Sequence, residues 1–392
     1  MKRYNYENSD NSSDNSLDKI VRSSIDLFSK KWYSSVSVAE ICRKSKISNG
    51  LFYHYFNNKE ELIKLILNRT VNQIDDLLKE VSGETIQEKL SKLIKSLHDY
   101  TNTNKKLILV FREGQYRYFE YERKLVEIYK NTLRRIIKKD TNLSLYLFIF
   151  GGLRFSLIRN SIYNSNISIE ALEDIILNGI FSNCDFDDSK IFRTIKIPDY
   201  KFAFKSKDKI LEEGKKLFGQ YNFDEVNISK IMEKSNLATG TFYKYFKSKE
   251  IFFEFLVEIS GKQIRHFISE NLTDDLNRLE KEIRGIFLFI NYLNIDRNCY
   301  NIVREAEFVN KKKAIEYYHA FVKGYQKYQK DWLNPKKVNS IPYYSETVIE
   351  FLLGISHYFG IEYIFTDEKI DLPDILKELA IFLKEGIRRY LK

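Results

Sequence analysis

Gly50-Leu-Phe-Tyr-His-Tyr-Phe56, followed by Lys59-Glu60, returns in the same chain as Gly240-Thr-Phe-Tyr-Lys-Tyr-Phe246, followed by Lys249-Glu250. The offset is 190 positions, and it holds without a gap back through Lys44-Ser45 and Lys234-Ser235, Ile41 and Ile231, Val36 and Val226, and Phe28 and Phe218. It ends at Asp18-Lys19-Ile20 against Asp208-Lys209-Ile210. Aromatic residues do not recur at so many fixed positions by chance, so the chain contains a duplication.

Behind each block the pattern recurs more loosely. Phe111-Arg112-Glu113 matches Val303-Arg304-Glu305, and an apolar run with Gly151-Gly152 finds a counterpart around Gly354. Amphipathic helices are expected to close the copies, at 169–181 and 372–390. The second copy has a longer loop around 332–344, marked by Pro335 and Pro342. The parts expected are a disordered tail at 1–16, a first head at 17–63 and its helical domain at 64–181. A linker follows at 182–205, then a second head at 206–253 and a second helical domain at 254–392. Fully extended, that linker would reach about 80 Å.

Within a block the apolar spacing is helical and short. Ile20, Ser24, Leu27 and Phe28 make one face, as do Ile210, Gly214, Leu217 and Phe218. Ser37-Val-Ala-Glu40 reads as a capping box, a break follows at 45–47, and a second short helix runs from Ser48 to Tyr55. Asn58 then caps a longer helix. Two short helices joined by a tight turn and braced by neighbours make a helix-turn-helix, whose second helix fits a DNA major groove. The first reading helix would present Ser48, Asn49, Gly50, Leu51 and His54; the second, Ala238, Thr239, Gly240, Thr241 and Lys244. Glycine at 50 and 240 lets backbone approach a duplex closely. Ser37, Asn227, Lys59 and Lys249 are placed for phosphates, and Tyr53, Tyr55, Tyr243 and Tyr245 add phenolic donors. Phe52, Phe56, Phe242 and Phe246 are expected in the core. Tyr53 and Tyr243 are also compatible with simple packing, hydroxyls in water.

Composition bounds the rest. The chain has 392 residues, 43% hydrophobic and 30% charged, with 4 Pro and 15 Gly, which favours long helices over a turn-rich β fold. A net charge of +10 permits nucleic-acid binding without requiring it. Cys42, Cys184 and Cys299 lie far apart, which fits neither a disulfide framework nor a zinc site and suits a reducing cytoplasm. No signal peptide is read at the start, and the apolar run 143–158 is short and carries Arg154, so a buried helix is expected there, not a membrane span. No GxSxG, HExxH, P-loop or GxGxxG motif argues for an enzyme, and neither cofactor nor metal is expected.

At the quoted residues the chain resembles the tetracycline-repressor (TetR/AcrR) family, over roughly fifty residues in each copy. The resemblance implies an all-α fold of two tandem units, each with an N-terminal helix-turn-helix and a C-terminal helical domain that binds a small effector and dimerises. Two units in one chain then imply an intramolecular pseudo-dimer that reads unlike half-sites of a double-stranded operator and is released by a ligand, with repression as the family's usual outcome. The expected bundle holds the last two helices of each copy, Gly151, Gly152 and Gly354 permitting close approach; further pairing of chains stays open. One local departure is Trp32 and Asn222 where the family has glycine, which puts the end of the first helix in doubt.

The resemblance also implies an apolar pocket for a small apolar or amphipathic effector. His98, Arg112 and Arg304 are its candidate polar groups, with Tyr116 and Phe308 among the aromatics; ordinary roles fit all five better, since aromatics at helical spacing usually belong to a core and such arginines to a surface or an ion pair. The alternative is a DNA-binding scaffold that senses nothing, its helical domains only pairing the heads.

Overall fold

The computed structural model describes residues 15–31, 33–197, 206–365 and 370–391, and no strand occurs among them. The fold is all-α. The tail expected at 1–16 lies outside the described residues up to position 14, as do Trp32 and the end of the expected linker, 198–205.

In chain order the helices are α1 (Asn15–Phe28), α2 (Val38–Ser45), α3 (Asn49–Tyr55), α4 (Lys59–Lys79), α5 (Ile86–Thr103), α6 (Lys105–Arg117) and α7 (Phe119–Ile137). Then come α8 (Leu143–Tyr146), α9 (Gly152–Tyr163), α10 (Ile169–Asn178) and α11 (Asp188–Ile191). The second copy supplies α12 (Ser206–Gln220), α13 (Ile228–Lys234), α14 (Thr239–Tyr243), α15 (Lys249–Asn271), α16 (Arg278–Ile295), α17 (Arg297–Val309) and α18 (Lys311–Trp332). It ends with α19 (Pro335–Ser340), α20 (Tyr344–Phe365) and α21 (Leu372–Glu385). The loop expected around 332–344 thus contains a short helix, with Pro335 at a first-turn position that needs no N–H.

The described helices fall into two compact units. Unit 1 comprises Met1–Leu177, Asn339–Gly354 and Ile387–Lys392; unit 2 comprises Asn178–Val338 and Ile355–Gly386. The duplication assigns 339–354 to the second copy, yet these residues pack within unit 1. Missing side chains make that possible. A Cβ on Gly152 would stand 2.5 Å from the Phe351 ring, and one on Gly354 would stand 2.6 Å from the Gly151 carbonyl oxygen. Within the same unit, Arg159 meets Glu350 at 3.1 Å, the Ser168 N–H donates to Thr347 at 2.9 Å, and the Ile387 N–H donates to the Ile176 carbonyl at 3.0 Å. The apolar run 143–158 forms α8, a π turn at Leu147–Gly151 and most of α9, and Leu145 to Phe150 are fully buried. Its one charge, Arg154, is satisfied by a bidentate pair with Glu122, at 2.7 and 2.9 Å, and by the Tyr146 hydroxyl. Helix α20 has the length and apolarity of a membrane span, but 78% of its most apolar window is buried in the protein.

In unit 2, the segment after α10 is docked rather than free. The Arg284 side chain of α16 is buried and donates to the carbonyls of Ile191 (2.8 Å), Arg193 (2.7 Å) and Thr194 (3.3 Å). Burial pushes its pKa down to about 10, so it remains charged at neutral pH. Asn271 and Lys196 exchange two hydrogen bonds, at 2.7 and 3.0 Å. A reach of 80 Å for the linker therefore does not apply, because residues 191–196 are held against α16 and the end of α15. Arg284→Met should release residues 191–196, and limited trypsin digestion should then cut after Arg193 or Lys196 at least about tenfold faster than in the parent, the worth of roughly one charge-assisted hydrogen bond.

Candidate nucleic-acid interface

The two heads share one construction. In unit 1, Ile20, Val21, Ile41, Phe52 and Phe56 are buried, as are Ile210, Ile231, Phe242 and Phe246 in unit 2. The pattern of exposure along 36–60 recurs along 226–250 at every position but one. The turns agree too. Lys46 (φ 57°) and Asn236 (φ 56°) both take the left-handed conformation that ends the first helix of the motif, and the next N–H reaches back to Cys42 or Met232 at 3.0 Å. Packing differences compensate each other: Ser24 and Leu62 of unit 1 become Gly214 and Phe252, where a Cβ on Gly214 would lie 2.3 Å from the Phe252 ring. Asn222 does not distort the end of its helix; its backbone is extended (φ −65°, ψ 156°) and it caps a short turn with Glu225.

On the reading helices, Asn49, Gly50, Tyr53, His54 and Tyr55 are exposed, as are Thr239, Gly240, Tyr243, Lys244 and Tyr245; Leu51 and Thr241 are half-buried. Tyr53 and Tyr243 keep 55% and 57% of their surface, too much for simple core packing. The two glycines carry the clearest signal. A Cβ at Gly50 would meet nothing closer than 3.9 Å, and one at Gly240 nothing within 4 Å, and neither has a positive φ. The protein's own packing does not require glycine there.

Ser37 and Ser48 are exposed caps whose hydroxyls accept from the N–H groups of Glu40 and Leu51, each at 3.1 Å, and Asn227 caps α13 through the Lys230 N–H at 2.8 Å. Only half of the expected capping box forms at Ser37, because the Glu40 carboxylate pairs with Lys31 instead. Ala238 has no cap to offer, and α14 spans five residues where α3 spans seven. Ser48→Ala should cost about 1 kcal/mol of stability and Ala238→Ser should add about as much. Urea unfolding followed by circular dichroism reads both.

Lys59 and Lys249 require a correction. Neither ammonium is placed for phosphate. Lys59 donates to the carbonyls of Tyr33 (2.5 Å), Val36 (2.6 Å) and Ser34 (3.3 Å), and lies 4.3 Å from the centre of the Tyr33 ring. Lys249 donates to the carbonyls of Phe223 and Val226, both at 2.9 Å, and stands 4.1 Å over the Phe223 ring. These lysines bind the loop before the motif to the helix after it.

That architecture matches a known family model, "Bacterial regulatory proteins, tetR family", at residues 20–66 and again at 210–255. The chain carries the TetR-family DNA-binding module twice. It is 22% identical over 174 residues to the uncharacterized HTH-type transcriptional regulator YerO of Bacillus subtilis, covering 40% of this chain and 59% of that one. YuxN, another uncharacterized HTH-type transcriptional regulator of Bacillus subtilis, is 47% identical over 49 residues, 12% of this chain and 17% of its own. The chain thus spans less than two thirds of either relative. The structure of the fatty acid degradation regulator FadR from Bacillus halodurans aligns with 48% of this chain and 99% of its own, with 16% identity and a TM-score of 0.39.

Beyond the two TetR-type heads, unit 1 holds a cavity of about 40 Å3 walled by α4, α5, α6, α7 and α9. Arg112, Gln115 and Arg154 stand among its apolar lining, which includes Phe111 and Tyr129. Gln115 is buried, and its side-chain N–H groups meet no acceptor among the described residues. Of the expected pocket residues of this unit, only Arg112 lines the cavity. His98 is half-buried beside it, between Asp99 (3.2 Å) and Asn102 (2.9 Å), and Tyr116 is half-buried on another face of α6. In unit 2, Arg304 is buried, donates to Asn301 at 3.0 Å and stacks 4.6 Å from the centre of Phe365, while Phe308 is half-buried.

Proposed function

We propose that this protein is a DNA-binding transcriptional regulator, most plainly a repressor, in which one chain supplies both reading heads. The observation that carries this reading is the pair of exposed glycines at 50 and 240. Each costs helix stability, yet a Cβ there would meet nothing closer than 3.9 Å, and unlike Gly285 and Gly324, which also have open space, these two recur at equivalent positions of the two short helices. Such a glycine is explained by a partner whose surface comes against the helix, and the exposed tyrosines and the polar residues at 49, 54, 239 and 244 surround it with groups suited to base edges and phosphates.

The heads differ at 48 and 238, 49 and 239, 51 and 241, and 54 and 244. A chain acting as its own pseudo-dimer would therefore prefer an asymmetric site, whereas identical heads favour a palindrome. Selection of bound sequences from random duplex DNA tests this. The expected product is a site with two unlike halves, bound with a steep dependence on salt. A palindrome, or no enrichment, overturns the reading.

Release by a small ligand fits the unit 1 cavity, whose apolar wall, Arg112 and unsatisfied Gln115 amide suit an amphipathic molecule with a hydrogen-bond acceptor. The cavity's size favours the second reading, a scaffold that senses nothing. At about 40 Å3 it has room for a water or two, against the 300 Å3 or more of ordinary ligand sites. Thermal shifts separate the two readings, since a ligand of the folded state raises the melting temperature. We place the protein in the cytoplasm, where its DNA would be.

A further inference from the structure

We propose that Glu113 and Glu305 are latches through which the regulatory helix of each unit fixes the orientation of its reading head; their effect on DNA rests on the reading above. The two carboxylates do the same thing in both units. Glu113 of α6 accepts from the Tyr33 N–H at 3.0 Å, and Glu305 of α17 accepts from the Phe223 N–H at 2.6 Å. Tyr33 and Phe223 are equivalent residues, 190 positions apart, in the loop that follows the first helix of each head. An N–H at that point has no helical partner, and an ionised acceptor makes a strong hydrogen bond to it.

The latch connects two sides of the molecule. On the head side, the carbonyl of the same Tyr33 or Phe223 is held by Lys59 or Lys249, which begins the helix directly after the reading helix. The loop is thus gripped on both sides of one residue, by the regulatory helix at its N–H and by the helix after the reading helix at its C=O. On the regulatory side, Glu113 lies between Arg112 and Gln115, both of which wall the unit 1 cavity. A rotation or slide of α6 that altered the cavity would carry Glu113, and with it the loop. A second tie runs parallel in unit 1, where Lys106 of α6 meets Asp26 of α1 at 2.6 Å; Asp26 also holds Lys44 of α2 at 2.6 Å. In unit 2 the parallel ties are an ion pair between Lys215 of α12 and Asp296, the cap of α17, and the Asn301 amide on the Gly219 carbonyl, at 2.8 Å. Different side bonds around one shared carboxylate single out the carboxylate as the common part.

The test uses the full chain with Cys184→Ser and spin labels on exposed cysteines introduced at Arg43 and Glu127 in unit 1, or at Glu233 and Lys323 in unit 2. Glu113→Ala should broaden the unit 1 distance distribution and speed exchange of the Tyr33 amide about tenfold, the worth of one net hydrogen bond. Glu113→Gln, which keeps an acceptor oxygen, should restore most of both. Glu305→Ala and Glu305→Gln should do the same in unit 2 at Phe223. With DNA, the alanine variants should accept several half-site spacings where the parent accepts one. Unchanged distributions with unchanged exchange overturn the latch, as does faster exchange with no broadening, which would leave Glu113 a local cap. Neither result depends on DNA, so a parent chain that binds no DNA sinks the functional reading and leaves the latch to be judged by the labels and the exchange.

Discussion

Alanine at both Gly50 and Gly240 should leave the protein as stable as before, or slightly more stable, while its DNA affinity falls about 100-fold, with each methyl costing about 1.4 kcal/mol of binding. The two halves of this expectation have different sources. Each added Cβ has open space around it and each glycine is in an ordinary helical conformation, so the folded state admits the methyl without strain. The unfolded chain loses freedom, which favours folding by up to about 1 kcal/mol per site. In the complex, the methyl would occupy the space through which the backbone approaches a base edge. The substitutions lie in separate heads, so their binding costs should add. Melting curves and a fluorescence-anisotropy titration with the selected site measure the two effects. Loss of stability would show that the glycines serve the fold, and undiminished affinity would remove them from the interface.

Arg159→Met should cost unit 1 about 3–5 kcal/mol at neutral pH, and the loss should shrink as the solution is acidified. Arg159 and Glu350 have side chains only 10% and 7% exposed, and the guanidinium meets the carboxylate at 3.1 Å. Burial holds the Glu350 carboxyl above its usual pKa, with Arg159 acting in the opposite direction. Removing the arginine leaves desolvation unopposed. The sign follows from linkage. A carboxyl whose folded pKa is raised binds protons more readily in the folded state, so its contribution to stability is most favourable below the unfolded pKa and is lost as pH rises through that value toward the folded one. The variant should therefore approach the parent near pH 4 and fall furthest behind at pH 7. Glu350→Gln strands the Arg159 guanidinium instead, so it should also be costly, but with no carboxyl left to titrate its stability should show little of this pH dependence. Urea midpoints at several pH values decide the matter, and a variant with the same deficit at every pH would contradict it.

The heads were legible because their information is local. Aromatic spacing, caps and a left-handed turn residue all lie within fifty positions, and the gap-free repeat doubles every observation. Lys59 and Lys249 were misjudged for a physical reason: a lysine opening a helix looks the same in sequence whether its ammonium meets a phosphate or three carbonyls of its own chain. Glu113 and Glu305 stood in the repeated Arg-Glu pair, but their partner is a backbone N–H eighty residues away, which no side-chain pattern announces. The cavity was half legible. Leu97, Tyr100 and Thr101 form one stripe of α5, and Ile108, Phe111, Arg112 and Gln115 one stripe of α6. His98 and Tyr116 stand at the edges of those stripes, one helical turn from Thr101 and Arg112, so residue spacing alone does not separate them from the lining. The packing of 339–354 within unit 1 was not legible, because periodicity shows that a face is apolar without showing what it will meet.

That last feature bears on how the protein is made. A ribosome usually finishes an N-terminal domain before it begins the next. Here the first copy can complete its reading head early, but its interior waits for Thr347, Glu350 and Phe351, and for Ile387 beyond them. Arg159 and the glycine face of α9 must stay uncovered while nearly two hundred further residues emerge. The nascent chain therefore spends about half of its synthesis with a sticky, charged seam open, and chaperone demand should peak before the last helices leave the exit tunnel.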